Sequence, residues 1–116
     1  LDEISILGRT SIAEVKGDQV ERYEIAPEEF GIARASLEDV SGGSPEFNAQ
    51  VLRDLFDGKY TGTRSDFLLL NGGFAMHAAG LADSPEKGIA LAADTLESGA
   101  AARKLAEIVD ASNALG

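Results

Sequence analysis

The stretch TSIAEVKGDQVERYEI, residues 10–25, decides the fold because it predicts a β-hairpin. Its first half is rich in β-branched residues, and its second half alternates so that Tyr23 and Ile25 share one face. Between the two halves, Gly17 can take the positive φ that a tight turn requires. The long periodic segments that follow have helical spacing, so the sequence predicts an α/β protein: a hairpin followed by about four helices.

The predicted helices cover residues 44–57, 66–79, 85–97 and 100–111, and a short N-capped turn precedes them at 36–39. The helix over 66–79 is apolar nearly all round, which predicts that it is buried. Gly72 and Gly73 interrupt it at roughly 1 kcal/mol each against alanine, so we expect a close backbone approach or a bend there. In the last helix Leu105, Ile108 and Val109 are expected to face the core.

Composition excludes several classes of protein. The 116 residues suit one domain, and the net charge of −10 argues against a nucleic-acid backbone or an anionic membrane as partner. The absence of cysteine excludes disulfides, thiolate nucleophiles and zinc–thiolate sites. No apolar run approaches the roughly 18 residues of a membrane span, and no signal segment opens the chain, so we expect a cytoplasmic protein. The first residue is Leu1 rather than Met, and we expect the chain to be part of a larger protein.

Three polar features are candidates for chemistry. Adjacent carboxylates at Asp2 and Glu3 can share a divalent cation, usually Mg²⁺, that also binds substrate phosphates. In a chain with 20 acidic residues, a solvated terminus explains the same pair, and the residues alone leave both readings open. His77 is expected to be a boundary histidine bonded to backbone, because nothing near it in the sequence supplies the partner a general base needs. Asn71, a polar residue inside the predicted buried helix, is expected to satisfy neighbouring backbone groups. No catalytic or cofactor-binding residue is predicted.

Several short motifs, in order along essentially the whole chain, resemble those of the anthranilate phosphoribosyltransferase family. LDEIS at residues 1–5 is similar to that family's Gly-Leu-Asp-Glu-Ile/Val-Ser segment. The hairpin, the Pro-Glu-Glu-Phe-Gly turn at 27–31, a Gly-Gly segment and the Asn-Ala-X-Val-Leu helix that includes Asn48 also resemble the family's. The last helices do so too, except that Gly72 and Gly73 replace an Ala-rich sequence, a departure expected to loosen helix packing.

The resemblance implies a metal-dependent homodimer with a small helical domain and a larger α/β domain, in which a mostly parallel sheet is flanked by helices. Residues 1–116 would be the C-terminal part of that larger domain. The implied reaction transfers the phosphoribosyl group of phosphoribosyl pyrophosphate (PRPP) to anthranilate and releases pyrophosphate, in tryptophan biosynthesis. The family's Asp-Glu pair binds the Mg²⁺ that accompanies the pyrophosphate, and this role carries over to Asp2 and Glu3 alone.

The family's pyrophosphate loop and its anthranilate-binding residues have no counterpart here and would lie upstream of Leu1. We therefore expect this chain to be inactive alone and to associate with the upstream part or with itself. Three alternatives remain. A non-synthetic paralogue that binds nucleic acid should be basic, whereas this chain has a net charge of −10. A nucleoside phosphorylase shares the two-domain plan but is disfavoured by the Asp-Glu pair and by the turn at 27–31. An acidic interaction module would bind no Mg²⁺.

Overall fold

The computed structural model describes residues 3–58 and 61–116. Its elements are, in chain order, the strands β1 (Thr10–Lys16) and β2 (Gln19–Ile25), a 3₁₀ turn (Pro27–Phe30), and the helices α1 (Leu37–Val40), α2 (Pro45–Phe56), α3 (Thr63–Ala78), α4 (Pro85–Glu97) and α5 (Ala100–Leu115). The predicted hairpin and the four long helices are confirmed. The short α1 corresponds to the N-capped turn.

The strands β1 and β2 form an antiparallel pair whose register runs from Thr10 opposite Ile25 to Lys16 opposite Gln19. Gly17 closes the turn with a φ of 61°, as predicted. Ile25 is buried and Tyr23 partly buried, so the predicted inner face is confirmed. Within residues 3–58 and 61–116 this hairpin is the only sheet, and the mostly parallel sheet stays an expectation for the complete protein.

Two helix boundaries differ from the prediction. α3 begins at Thr63, three residues before the predicted start, because Gly62 with a φ of 129° breaks the chain immediately before it. α5 continues to Leu115, because residues 111–115 contain no proline or glycine that would end a helix. α2 begins as predicted: the hydroxyl of Ser44 accepts a hydrogen bond from the backbone N–H of Phe47 at 3.2 Å.

The core is a small cluster on one side of α3. Ile6 and Leu70 are fully buried, and Ile32 joins them. Phe30 and Phe74 pack beside this cluster with their rings edge to face, 5.6 Å apart. The cluster ties the segment after Glu3, the turn after the hairpin and the middle of α3 into one unit.

Two expectations about burial are wrong. α3 is apolar on all sides, yet only Leu70 and Gly73 in it are buried, because the surrounding elements cover only part of its circumference. In α5, Ile108 and Val109 are 58% and 43% exposed, because this helix touches the described part of the chain chiefly through its first half; Leu105 alone of the predicted three is partly buried.

α3 and α4 make the most extensive helix–helix contact among the described residues. A Cβ atom built on Gly88 would lie 2.1 Å from the carbonyl oxygen of Gly73, and one built on Gly73 would lie 2.6 Å from the backbone nitrogen of Ile89. The two backbones therefore touch where both residues are glycine. The predicted close approach is confirmed at Gly73, and the expectation of loosened packing is wrong, since glycine permits a tighter contact here.

Candidate functional site

Of the candidate metal pair, Glu3 is the first residue that the structure describes. Asp2 falls outside the described residues. Glu3 is exposed, and its carboxylate takes part in none of the hydrogen bonds or ion pairs found within residues 3–58 and 61–116. Glu3 lines a cavity of about 330 Å³ together with Arg64, Phe67 and Asn71. Its oxygens are therefore accessible to a ligand from solvent.

Asn71 fixes the backbone immediately after Glu3. Its side-chain oxygen accepts a hydrogen bond from the N–H of Ile4 at 2.9 Å. Its side-chain nitrogen donates to the carbonyl of Ile4 at 3.0 Å and to the carbonyl of Phe67 at 3.0 Å. The expectation that Asn71 satisfies backbone groups is confirmed. Two of its three bonds, however, reach a peptide 67 residues away in sequence rather than its own helix.

The rest of this segment is fixed by further contacts. The N–H of Ser5 donates to the hydroxyl of Thr10 at 3.1 Å, which ties the segment to the first residue of β1. Ile6 is fully buried, and its carbonyl accepts from the N–H of Ala35 at 3.0 Å. Glu3 therefore precedes a segment, residues 4–6, that is held in place by α3, by β1 and by the core.

A second polar cluster joins the hairpin to the end of α3. His77 Nε2 lies 2.7 Å from Glu14 Oε1, and His77 Nδ1 lies 3.0 Å from the carbonyl oxygen of Ala82. The hydroxyl of Tyr23 donates to Glu14 Oε2 at 3.0 Å. His77 is a boundary histidine bonded to backbone, as expected, but the expectation that it has no partner is wrong, because Glu14 reaches it from the hairpin.

Glu14 and Tyr23 were missed because their link to His77 is long-range. The only sequence signal is local: in the hairpin register Ile12 lies opposite Tyr23, so Glu14 is the diagonal neighbour of Tyr23 on the same face. That signal predicts the pairing of Tyr23 with Glu14. It cannot predict that the same face meets the end of α3.

The geometry of this cluster shifts its pKa values. The hydrogen bond to the Ala82 carbonyl, and then that to Glu14, raise the pKa of His77 above 6.5, and partial burial opposes them. The hydrogen bond from His77 lowers the pKa of Glu14 below 4.5. Burial, and then the bond to Glu14, raise the pKa of Tyr23 above 10. Both partners of the imidazole ring are acceptors, so the ring satisfies both only when it is protonated.

The residues fit a weakly held Mg²⁺ rather than a complete protein cage. No group of three or more His, Asp or Glu side chains that would suit a metal occurs within residues 3–58 and 61–116. The donor set expected from the sequence would be the adjacent carboxylates of Asp2 and Glu3, of which the structure describes Glu3 alone, with its side chain exposed. Mg²⁺ is usually bound by one or two carboxylates, with waters and substrate phosphates completing its coordination. None of the helices in the described part of the chain is both long enough and apolar enough to cross a membrane.

The hairpin and the helices that follow it make a small α/β unit. The chain belongs to the family described as glycosyl transferase family, a/b domain, which it matches over residues 1–102.

Within that family the chain is similar to anthranilate phosphoribosyltransferases, which confirms the resemblance drawn from its motifs. It is 48% identical over 98 residues to the anthranilate phosphoribosyltransferase of Persephonella marina, covering 84% of this chain and 29% of that protein. It is 46% identical over 111 residues to that of Haloarcula marismortui, covering 96% of this chain and 34% of that protein.

Solved structures agree with the sequence relatives. The crystal structure of anthranilate phosphoribosyltransferase from Thermus thermophilus matches with a TM-score of 0.80 at 39% identity, over 90% of this chain and 31% of that one. The Saccharomyces cerevisiae enzyme in complex with PRPP and Mg matches with a TM-score of 0.82 at 27% identity, over 95% of this chain and 32% of that one. The chain thus spans about a third of the length of the relatives that it matches.

Proposed function

We propose that this chain is part of an anthranilate phosphoribosyltransferase, an enzyme that transfers the phosphoribosyl group of PRPP to anthranilate and releases pyrophosphate. The observation that carries the proposal is the similarity to enzymes of that name, at 46–48% identity over most of the chain. The reaction forms a bond between the anomeric carbon and the anthranilate nitrogen and breaks the bond between that carbon and the pyrophosphate oxygen.

In this proposal Asp2 and Glu3 hold Mg²⁺ beside the pyrophosphate group. The metal, when bound, supplies positive charge to the leaving pyrophosphate. Glu3 contributes an accessible carboxylate, and the backbone after it is fixed by Asn71 and by the core, so little backbone freedom remains to be lost on binding.

The remaining machinery is assigned to the upstream part of the same protein. The pyrophosphate loop and the anthranilate-binding residues would be there, together with the helical domain through which the complete enzyme forms a homodimer. We propose a cytoplasmic location and a place in tryptophan biosynthesis. In this proposal the active site is thus divided between this chain, which holds the acidic pair, and the upstream part.

The test follows the decay of anthranilate fluorescence with PRPP and Mg²⁺ present. This chain is assayed alone and then with the separately expressed upstream portion. We expect turnover only in the mixture. Turnover by a verified 116-residue monomer would contradict the division of the site. Silence in a mixture that demonstrably associates would favour a non-synthetic paralogue or a binding module.

The role of the acidic pair is tested in the full-length protein with Asp2→Asn combined with Glu3→Gln. We expect the Mg²⁺ requirement to rise and turnover to fall at least tenfold, a loss typical of a weakened metal site. The thermal midpoint should stay nearly unchanged, because the carboxylate of Glu3 is exposed and makes no bond with the described residues. A lowered midpoint with unchanged kinetics would show that the pair is structural.

A further inference from the structure

Asn71 is the side chain that couples α3 to the segment following the acidic pair. Its amide bonds to both backbone polar groups of Ile4: its oxygen accepts from the N–H at 2.9 Å, and its nitrogen donates to the carbonyl at 3.0 Å. The same amide nitrogen also donates to the carbonyl of Phe67, one turn earlier in α3, at 3.0 Å. An amide held by three hydrogen bonds has little freedom to rotate. It therefore holds the backbone of Ile4 at a fixed place relative to α3.

Other contacts leave Ile4 as the point that controls Glu3. Ser5 is held by Thr10, and Ile6 is buried in the core, so the chain is fixed from residue 5 onward. Glu3 itself makes no hydrogen bond or ion pair with the rest of the described residues. The position of its backbone is therefore set through Ile4, whose side chain packs against the core and whose N–H and carbonyl are both held by Asn71.

A helix supplies a good support for such a contact. The Asn71 side chain lies in the middle of α3, one residue from the fully buried Leu70 and two from Gly73, where α3 meets α4. The helix cannot shift locally without disturbing the core and the glycine contact. Asn71 thus links the backbone next to Glu3 to the buried core and to the close contact between α3 and α4.

We infer that Asn71 is a positioning residue for the proposed Mg²⁺ site, which acts by holding the backbone of Ile4 and so fixes the position from which Glu3 extends. This inference rests on the proposed function. It assigns Asn71 no contact with substrate, and it predicts an effect on metal affinity without any change of charge, since asparagine is neutral. Groups that orient metal ligands from behind are typically worth 10–100-fold in metal affinity or activity.

The test measures metal-dependent ligand binding rather than turnover. In the full-length protein, PRPP binding is followed by calorimetry without anthranilate while Mg²⁺ is varied, and Mn²⁺ occupancy is followed by electron paramagnetic resonance. For Asn71→Ala we expect the half-saturating Mg²⁺ concentration to rise about tenfold. Saturating Mg²⁺ should restore PRPP binding, because the ligands themselves are intact. A purely structural role would lower the thermal midpoint and leave metal affinity unchanged.

Asn48→Ala is the matched control. Asn48 also clamps a single residue, accepting from the N–H of Gly43 at 2.8 Å and donating to the Gly43 carbonyl at 3.1 Å, but this turn does not hold the acidic pair. We expect no change in metal affinity for this variant. Thr10→Val is a second, milder probe that keeps the β-branched shape and loosens only Ser5, so the shift should be in the same direction and smaller. It keeps the test decisive if Asn71→Ala fails to fold.

The outcomes separate the two claims. If the wild-type protein binds PRPP with Mg²⁺ and loses this with Asp2→Asn and Glu3→Gln, while Asn71→Ala and Thr10→Val bind Mg²⁺ as the wild type does, only the positioning role is overturned. If the wild-type protein shows no Mg²⁺-dependent PRPP binding, the proposed function and the positioning role fall together. An equal shift in Asn48→Ala would show a general effect of lost backbone contacts and would also overturn the inference.

Discussion

His77 sits between two acceptors, the Ala82 carbonyl and the Glu14 carboxylate, and its side chain is 17% exposed. The contact with the Ala82 carbonyl, and then that with Glu14, raise the pKa of His77, and the contact with His77 lowers the pKa of Glu14. The contribution of His77 to stability is therefore lost at high pH, and that of Glu14 is lost at low pH. The part due to His77 is complete below about pH 6.5 and is lost as pH rises through its folded pKa. The part due to Glu14 is present above about pH 4.5 and is lost as pH falls through its folded pKa. The pair stabilises the fold most between these limits.

Nuclear magnetic resonance of the imidazole can measure this contact directly, since the chain contains one histidine. We expect an apparent pKa of His77 above 6.5 in the folded chain. In Glu14→Gln it should fall toward 6.5, because the carboxylate that stabilises the imidazolium is removed. Glu24→Gln is the control: this carboxylate lies on the same hairpin but pairs with Arg9 at 3.0 Å. An apparent pKa at or below 6.5 in the wild-type chain would contradict the assignment.

At the level of elements, the contact between α3 and α4 depends on two glycines that differ in what surrounds them. A methyl group on Gly88 would collide with the backbone of α3, so Gly88→Ala forces the two helices apart. Overpacking of this kind costs about 1–3 kcal/mol, and we expect a loss near the upper end, since the obstacle is backbone. Gly73→Ala should act similarly. The free energy of unfolding from urea denaturation of the full-length protein checks both.

Gly72→Ala is the matched control, one residue away in the same helix. Its added Cβ would lie 3.5 Å from the Cβ of Ala92, an ordinary contact, and its backbone needs no positive φ. We expect this variant to be neutral or up to roughly 1 kcal/mol more stable, because alanine favours the helix over glycine. A loss of stability equal to that of Gly73→Ala would show that the interface does not distinguish the two positions.

Local sequence patterns predicted the helices and strands well, but they did not predict the contacts between residues that are far apart in sequence. Caps, turn residues and helical spacing are set within a few residues, so the hairpin, the Ser44 cap and the close approach at Gly73 could be predicted. The partner glycine at position 88 could not, because the pairing of two helices is a tertiary choice. For the same reason the pattern indicated the role of Asn71 but not its target, and it gave no hint of Glu14 beside His77.

Across the whole molecule, the burial predicted from the sequence differs more from the structure than the predicted elements do. An all-apolar α3 and an amphipathic α5 predict a covered core, yet both helices keep apolar surface exposed in this chain. Exposed large apolar side chains also occur on α2 and on the hairpin, at Phe47 and Val15. Exposed apolar side chains mark an interface where they form one contiguous surface. We expect the rest of the complete protein to cover the surfaces that the amphipathic pattern predicts to be buried.

The chain alone should therefore self-associate, and the upstream portion should suppress this. A groove of about 300 Å³ between α2 and α5, lined by Phe56, Leu105 and Val109 among others, offers one such surface. Size-exclusion chromatography with light scattering should give a mass above the 12.1 kDa of one chain. The combined variant Ile108→Ser and Val109→Ser should reduce association, because it removes exposed apolar area from α5. Leu115→Ser, at the 91% exposed end of α5, should change it little. A compact monomer that ignores the upstream portion would show that these faces are ordinary solvent-exposed surface.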